Sequence, residues 1–367
     1  MKFTITREAL ITSLQMISGV VEKRQTMPVL ANVLLDADSE KLTITGTNME
    51  VELVAQISEV NIQQPGRITV PAKKFTDICR SLPDQANIDV EVKDSRLNVH
   101  FGKSHFVLST LPADHFPNVE EEAGSIRLEL PQKELKRMID ATAFAMAQQD
   151  VRYYLNGMLM ELTGDGLKAV STDGHRLALA GIATKTAVED KRQPIVPRKG
   201  VLELARLLSD TEENCTLIFG DNHVRAVVGH YTFTSKLIDG KFPDYQRVIP
   251  RGGDKTMVAD RQLLKGVLQR ASILSHESIR GVRLQFEPGE LKVFANNPDQ
   301  EEAEDSLEVE YDFEPMQIGF NVGYLIDVLN VLDDNLVKMT LSNANSSALV
   351  EGMETSDALY VVMPMRL

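Results

Sequence analysis

One plan is written three times along this chain, and that repetition constrains the fold more than any single motif. PVLANVLLDADSEKLTITGTNMEVEL from Pro28 aligns with YYLNGMLMELTGDGLKAVSTDGHRLAL from Tyr153 and with ESIRGVRLQFEPGELKVFANNPDQEEA from Glu277. Leu42, Leu167 and Leu291 take equivalent places, as do Asn48, Asp173 and Asn297, each in a turn-like cluster after an alternating run. A second block repeats as ITVPAKKFTDICRSL from Ile68, PIVPRKGVLELARLL from Pro194 and IGFNVGYLIDVLNVL from Ile318, each passing from strand-like to helical periodicity. The joint is Val70-Pro71 and Val196-Pro197 in two copies, where a missing N–H costs a helix entrance nothing. A third block joins LPADHFP from Leu111 to LIDGKFP from Leu237, while the last copy ends at VVMPMRL.

Each copy also opens on a strand and a longer helix, with Leu10, Leu14 and Ile17 at i, i+4 and i+7 in the first. Six helices are predicted, over 7–24, 72–81, 132–149, 198–209, 261–275 and 322–334. Short Gly, Asp and Asn turns join most strands, so the reading is α+β with three similar tandem domains, 1–125, 126–253 and 254–367. An antiparallel sheet in each copy leaves open edges. Tandem copies can pair edge to edge, and the two outermost edges must then be blunted, joined to each other, or joined to another chain.

The formal charge of −14, from 39 basic and 53 acidic side chains in 367 residues, argues against indiscriminate attachment of the whole surface to nucleic acid or anionic lipid. The charge is segregated, however. The six helical segments carry +6, so the remainder carries −20. Helices sharing a face would offer a positive lining that attracts duplex DNA without reading its sequence, although helix surfaces also favour Lys and Arg for propensity alone. The last helix departs from the pattern with Asp327, Asp333 and Asp334. No helix resembles a base-reading module, and Trp is absent. Cys79 and Cys215 stand far apart without zinc spacing, no run approaches the length of a membrane span, and MKFTITREAL turns polar too early for a signal peptide, so a cytoplasmic location is expected.

An enzyme would have to use Asp173, His175 and the acidic run from Glu301, as a metal-dependent phosphodiesterase. The histidine in DGHR lacks an HxH or HExxH partner, and no phosphate loop or GxSxG elbow occurs. A repeat scaffold that binds proteins and never DNA is the other alternative.

The runs LANVLL, TVPAKKFTDICRSLP, STLPADHFPNVE, FAMAQQDVRYYLNGMLMEL, STDGHRLALA, VPRKGVLELARLL, FTSKLIDGKFPDY, ANNPDQEEAED, IGFNVGYLIDVLNVL and YVVMPMRL together resemble the bacterial DNA polymerase III beta subunit family, the sliding clamps, over essentially the whole chain. The resemblance implies a head-to-tail homodimer closed into a six-domain ring around duplex DNA, with helices inside and sheets outside, no catalytic site, no cofactor and no membrane. It implies partners among the replicative polymerase alpha subunit, the clamp-loader delta subunit, other polymerases and repair proteins. DNA-contact positions carry over to Arg24, Lys73, Arg80, Gln149, Tyr153, Tyr154, Arg198, Lys199 and Lys236. Lys73 stands where Arg is common in the family, and Gln148, where His is expected in some relatives, is given no role. A pocket for extended partner peptides carries over to Leu155, Thr172, Gly174, His175, Arg176, Leu177, Pro243, Arg247, Val248, Asn321, Tyr324, Ser347, Val361, Val362, Met363, Pro364, Met365 and Arg366. There, aliphatic and methionine side chains would form an adaptable apolar slot while His175 and Arg176 orient a polar backbone. The implied dimer contact sets Phe106 of one subunit against Ile273 and Leu274 of the other. Lys74 and Lys103 would face Asp299, Glu301, Glu302, Glu304 and Asp305, and His105 stands where Arg is familiar, so the dimer is expected to tighten from pH 8 to pH 6.

Overall fold

The computed structural model describes residues 1–22, 27–117, 126–354 and 357–366. Two compact units emerge, and they cut across the sequence repeats. One comprises residues 1–133 and 199–237, the other 134–198 and 238–367. The division follows from strand pairing. In the first unit, Tyr231–Lys236 from the second copy pairs antiparallel with Val51–Ile57 from the first, setting Tyr231 opposite Ala55. In the second unit, Arg176–Ala183 pairs in the same way with Ala358–Val362, setting Arg176 opposite Val362. Each pairing fuses two four-stranded halves into one eight-stranded sheet, as edge-to-edge joining of tandem copies requires.

Each unit also holds a smaller antiparallel sheet that ends in a strand paired on one side only. In the first unit, Ser104–Ser109 is the last of five strands. In the second, Glu302–Glu308 is the first of four. Fully buried side chains fill the space beneath helices and sheets, among them Phe3, Leu10, Leu14 and Phe75 in the first unit and Phe286, Phe320 and Tyr360 in the second.

The six helices are α1 (Arg7–Ser18), α2 (Ala72–Ser81), α3 (Gln132–Asp140), α4 (Arg198–Leu207), α5 (Arg261–Ser272) and α6 (Val322–Val331). The expected α2 boundaries hold, whereas the other five end earlier than periodicity indicates. Beyond α1 the chain tightens into a turn, with Gly19 N donating to Met16 O at 3.3 Å and Val20 N to Ile17 O at 3.0 Å, and distant side chains reach the same segment. Arg206 donates to Met16 O, and Lys199 Nζ donates to Val20 O at 3.2 Å. A Cβ at Gly19 would lie 2.0 Å from the Arg206 guanidinium, so a larger residue there would make that head group shift. α3 ends where the Thr142 hydroxyl donates to Met138 O at 2.8 Å, a local bond that competes with helix propagation. With the observed boundaries the helices carry +7 and the remainder −21, so charge segregation survives the shortening.

The repeat is visible in individual hydrogen bonds. The first residue of each opening helix donates its N–H to the loop after the second helix: Arg7 to Ala86 O, Gln132 to Glu213 O and Arg261 to Asn335 O, at 2.8 to 2.9 Å. Asn48, Asp173 and Asn297 each fold their turn by accepting two backbone N–H groups on one side-chain oxygen. Where the third copy lacks the proline of the other two, Asn321 caps α6 by accepting from Gly323 N at 2.9 Å. Asn48 also donates to Glu22 at 2.9 Å. Asn48→Ala is therefore expected to cost about 1–2 kcal/mol through loss of the turn bonds, read as a lower midpoint for the first thermal transition. An unchanged midpoint would show that the turn stands without them.

Candidate peptide pocket and open sheet edges

In the second unit, one arginine organises the surroundings of the turn at 172–176. Thr172 donates its hydroxyl to Arg176 O at 2.6 Å, and Gly174 supplies the φ of 91° that the turn needs. The Arg176 side chain then runs inward. Its Nε donates to Asp173 Oδ2 at 3.1 Å, Nη1 to Asp327 of α6, and Nη2 to Phe144 O at 3.0 Å. Its Cζ lies 4.5 Å from the Tyr324 ring centroid and 5.1 Å from that of Phe144, and the His175 ring stacks on Tyr324 at 6.3 Å. With the side chain only 12% exposed and its donors engaged, Arg176 acts as a wall that holds Tyr324 and His175 in place. This differs from the expectation that it orients a ligand backbone.

Beside this wall lies an apolar floor. Leu155, Leu177 and Val361 are buried in one cluster with Phe242 and Tyr245, and Val362 is buried next to them in sequence. Exposed Val248 and Met363 stand at the rim, 43% and 41% accessible, with Pro364, Met365 and Ser347 half-buried and Pro243, Arg247 and Arg366 exposed. The final strand thus serves as core up to Val362 and as rim beyond it. Two backbone bonds pin this tail, from Met363 N to His175 O and from Met365 N to Gly319 O, both at 2.9 Å. Beneath the floor, Tyr245 donates its hydroxyl to buried Glu161 at 2.9 Å, and burial with that carboxylate pushes the phenol up to about 12. At the turn's flank, Arg152 binds Asp150 through Nε and Nη2 and holds its carboxyl down at about 2.

Sequence reasoning passed over Phe144 and Asp327. The signal for Asp327 was the acidic departure of α6 from the charge of the other helices.

The candidate DNA contacts are spread over several elements. Lys73 and Arg80 are exposed near opposite ends of α2, and Arg80 pairs with Asp77 at 3.3 Å. Gln149 is exposed at a φ of 56°, and Tyr153, 56% exposed, meets Tyr154 edge-on at 5.7 Å. Arg198 is half-buried, and burial followed by the charge of Arg176 lowers its pKa. Lys199 is not a free cation, since it binds Glu22 as well as Val20 O. Lys236 is exposed, and Arg24 lies outside the described residues.

Unlike charge surrounds two of the sheet-edge strands, Ser104–Ser109 and Glu302–Glu308. Along Ser104–Ser109 stand exposed His105 and half-buried Phe106, with exposed Lys103 beside them and exposed Lys74 in α2. His105 stacks on His100 at 4.2 Å, and its Nε2 lies 3.0 Å from Asn98 Oδ1. Along Glu302–Glu308, Glu302 and Glu304 are exposed, as are Asp299 and Glu301 just before the strand. Asp305 is already paired with Arg270 at 2.6 Å. Beyond α5, Ile273 is 76% exposed and Leu274 half-buried.

Three α+β repeats, sheet-edge strands set in surroundings of unlike charge, and an apolar slot walled by a fixed arginine define a tandem-repeat binding protein. Family profiles for the DNA polymerase III beta subunit match residues 1–120 as N-terminal domain, 129–244 as central domain and 246–366 as C-terminal domain. The beta sliding clamps of Pseudomonas putida and Escherichia coli are 56% and 49% identical over 367 residues, covering the whole of both chains. The crystal structure of the Pseudomonas aeruginosa DNA polymerase III subunit beta superposes with a TM-score of 0.97 at 54% identity and full coverage of both chains. A structure of the clamp from that organism bound to griselimycin matches at 55% identity, with the same TM-score and coverage. The chain belongs to the bacterial DNA polymerase III beta subunit family, the beta sliding clamps.

Proposed function

We propose that two copies of this chain close head to tail into a ring that encircles duplex DNA without reading sequence. The ring would tether the replicative polymerase through its alpha subunit and recruit the clamp-loader delta subunit, other polymerases and repair proteins through the peptide pocket. It acts in the cytoplasm as a processivity factor and performs no chemistry on DNA. Its repeats are assigned to 1–125, 126–253 and 254–367. The observation that carries the dimer is a pair of edge strands, Ser104–Ser109 with Lys103 and Lys74 nearby and Glu302–Glu308 with its carboxylates, since an unpaired edge is a standing template for another strand and these two lie in surroundings of opposite charge. Exposed Ile273 beside one edge and Phe106 on the other supply apolar area that a partner would cover.

Topology gives the test. Protein loaded by the cognate clamp loader onto nicked circular DNA should remain bound in moderate salt and fall off when the circle is cut. Equal retention on circular and linear DNA would favour simple electrostatic adhesion, and no retention on either would favour a scaffold that never encloses DNA.

The rise in dimer affinity expected from pH 8 to pH 6 belongs to the same reading, since exposed His105 stands on the edge proposed to face Glu302 and Glu304. Sedimentation at both values checks this, and equal dissociation constants would remove His105 from the contact.

A further inference from the structure

A polar groove of about 710 Å³ adjoins the apolar slot and shares Arg247, Val248 and Ser347 with it. We propose that this groove is a specificity subsite for carboxylate side chains flanking the apolar residues of a partner peptide, an inference that rests on the peptide-pocket reading above.

Two segments build the groove, Asp244–Arg251 and the loop at 342–347. Arg247 and Arg251 both line it, in a protein whose formal charge is −14. Arg247 gives its Nε to Asp244 at 2.8 Å, but the side chain is 86% exposed and its remaining N–H groups face solvent. Arg251 is exposed and makes no ion pair among the described residues. Ser342, Asn345, Ser346, Ser347 and Gln246 add hydroxyl and amide groups. The loop is ordered before any ligand arrives, because Asn343 Oδ1 accepts from Asn345 N at 2.9 Å and Asn343 O accepts from Ser346 N at 3.2 Å.

Continuity selects the occupant. An extended peptide advances about 3.3 Å per residue, so the residue or two beyond the slot at Val248 and Ser347 would reach the groove. A carboxylate there would meet two guanidinium groups and only one acid, Asp244, which Arg247 already neutralises. Such rim charges act on partner choice more than on total affinity.

Fluorescence anisotropy on the full-length dimer tests this. The probe is a labelled peptide bearing the apolar docking residues of the cognate polymerase, alone or extended at either end by Asp-Asp, Lys-Lys or Gly-Ser. One of the two Asp-Asp peptides should bind about five-fold tighter than its Gly-Ser counterpart at low salt, with the gain shrinking at 0.3 M salt. Arg251→Glu should reverse the order so that Lys-Lys is preferred, leaving the unextended peptide unchanged. Equal affinity for all extensions in the wild type would overturn the subsite while leaving the pocket intact. Failure of the unextended peptide to bind would overturn both. If Arg251→Glu weakens binding to short duplex DNA and leaves the Asp-Asp preference untouched, the groove serves phosphate and the proposal falls.

Discussion

Ile273→Asp should convert a particle of twice 40.8 kDa into one of 40.8 kDa. Ile273 is 76% exposed, so the substitution removes little from the fold of its own chain and the unfolding midpoint should barely move. In the proposed dimer it faces Phe106, beside carboxylates already arrayed along Glu302–Glu308. Losing the buried isoleucine costs about 2 kcal/mol. Burying an unpaired carboxylate costs several kcal/mol more. A head-to-tail ring of two chains contains the same contact twice, so the penalty is felt twice, on the order of 10 kcal/mol per ring. That exceeds what tightening between pH 8 and pH 6 could offset. Sedimentation gives the mass, and retention on circular DNA should vanish with the dimer. A variant that remains a dimer at micromolar concentration would place the interface elsewhere.

Arg176→Ala should weaken peptide binding strongly while the ring stays closed. The substitution empties the space between the Phe144 and Tyr324 rings and strips Asp173 and Asp327 of their cation. Asp327 is 42% exposed, so solvent screening reduces the loss below that of a fully buried pair, to about 2 kcal/mol of stability. The effect on binding should be larger, at least about 30-fold, because Tyr324 and His175 lose the support that fixes them. Asp327→Asn keeps an acceptor of nearly the same shape and should weaken peptide binding only a few-fold. Calorimetric titration with the polymerase peptide separates the two variants, and an Arg176→Ala affinity equal to the wild type's would show that Arg176 supports nothing the peptide touches.

Much of this molecule was legible as local pattern. Asn48, Asp173 and Asn297 could be matched from their neighbours because a side-chain oxygen bonds N–H groups only a few residues ahead, a geometry contained in the turn itself. Helix starts carried local marks in Pro71, Pro197 and the capping side chains of Thr6, Asp260 and Asn321, although Arg7, Gln132 and Arg261 also send their N–H groups to distant loops. Helix ends were less legible, because apolar periodicity runs on through the tighter turns that follow α1 and α3, and at α1 Arg206 also reaches Met16 O across 190 residues.

By itself, then, the sequence determined the threefold plan, the α+β class, the basic helices and the turns, all set by interactions within a few residues. Only tertiary structure decided that the repeats fuse into two units through Tyr231–Lys236 and Arg176–Ala183, which strands stay open, and that Arg176 is held by Asp327 from 151 residues away. Periodicity records which face of an element is buried, but which edge or acid lies opposite depends on chain segments that meet only once the fold has closed.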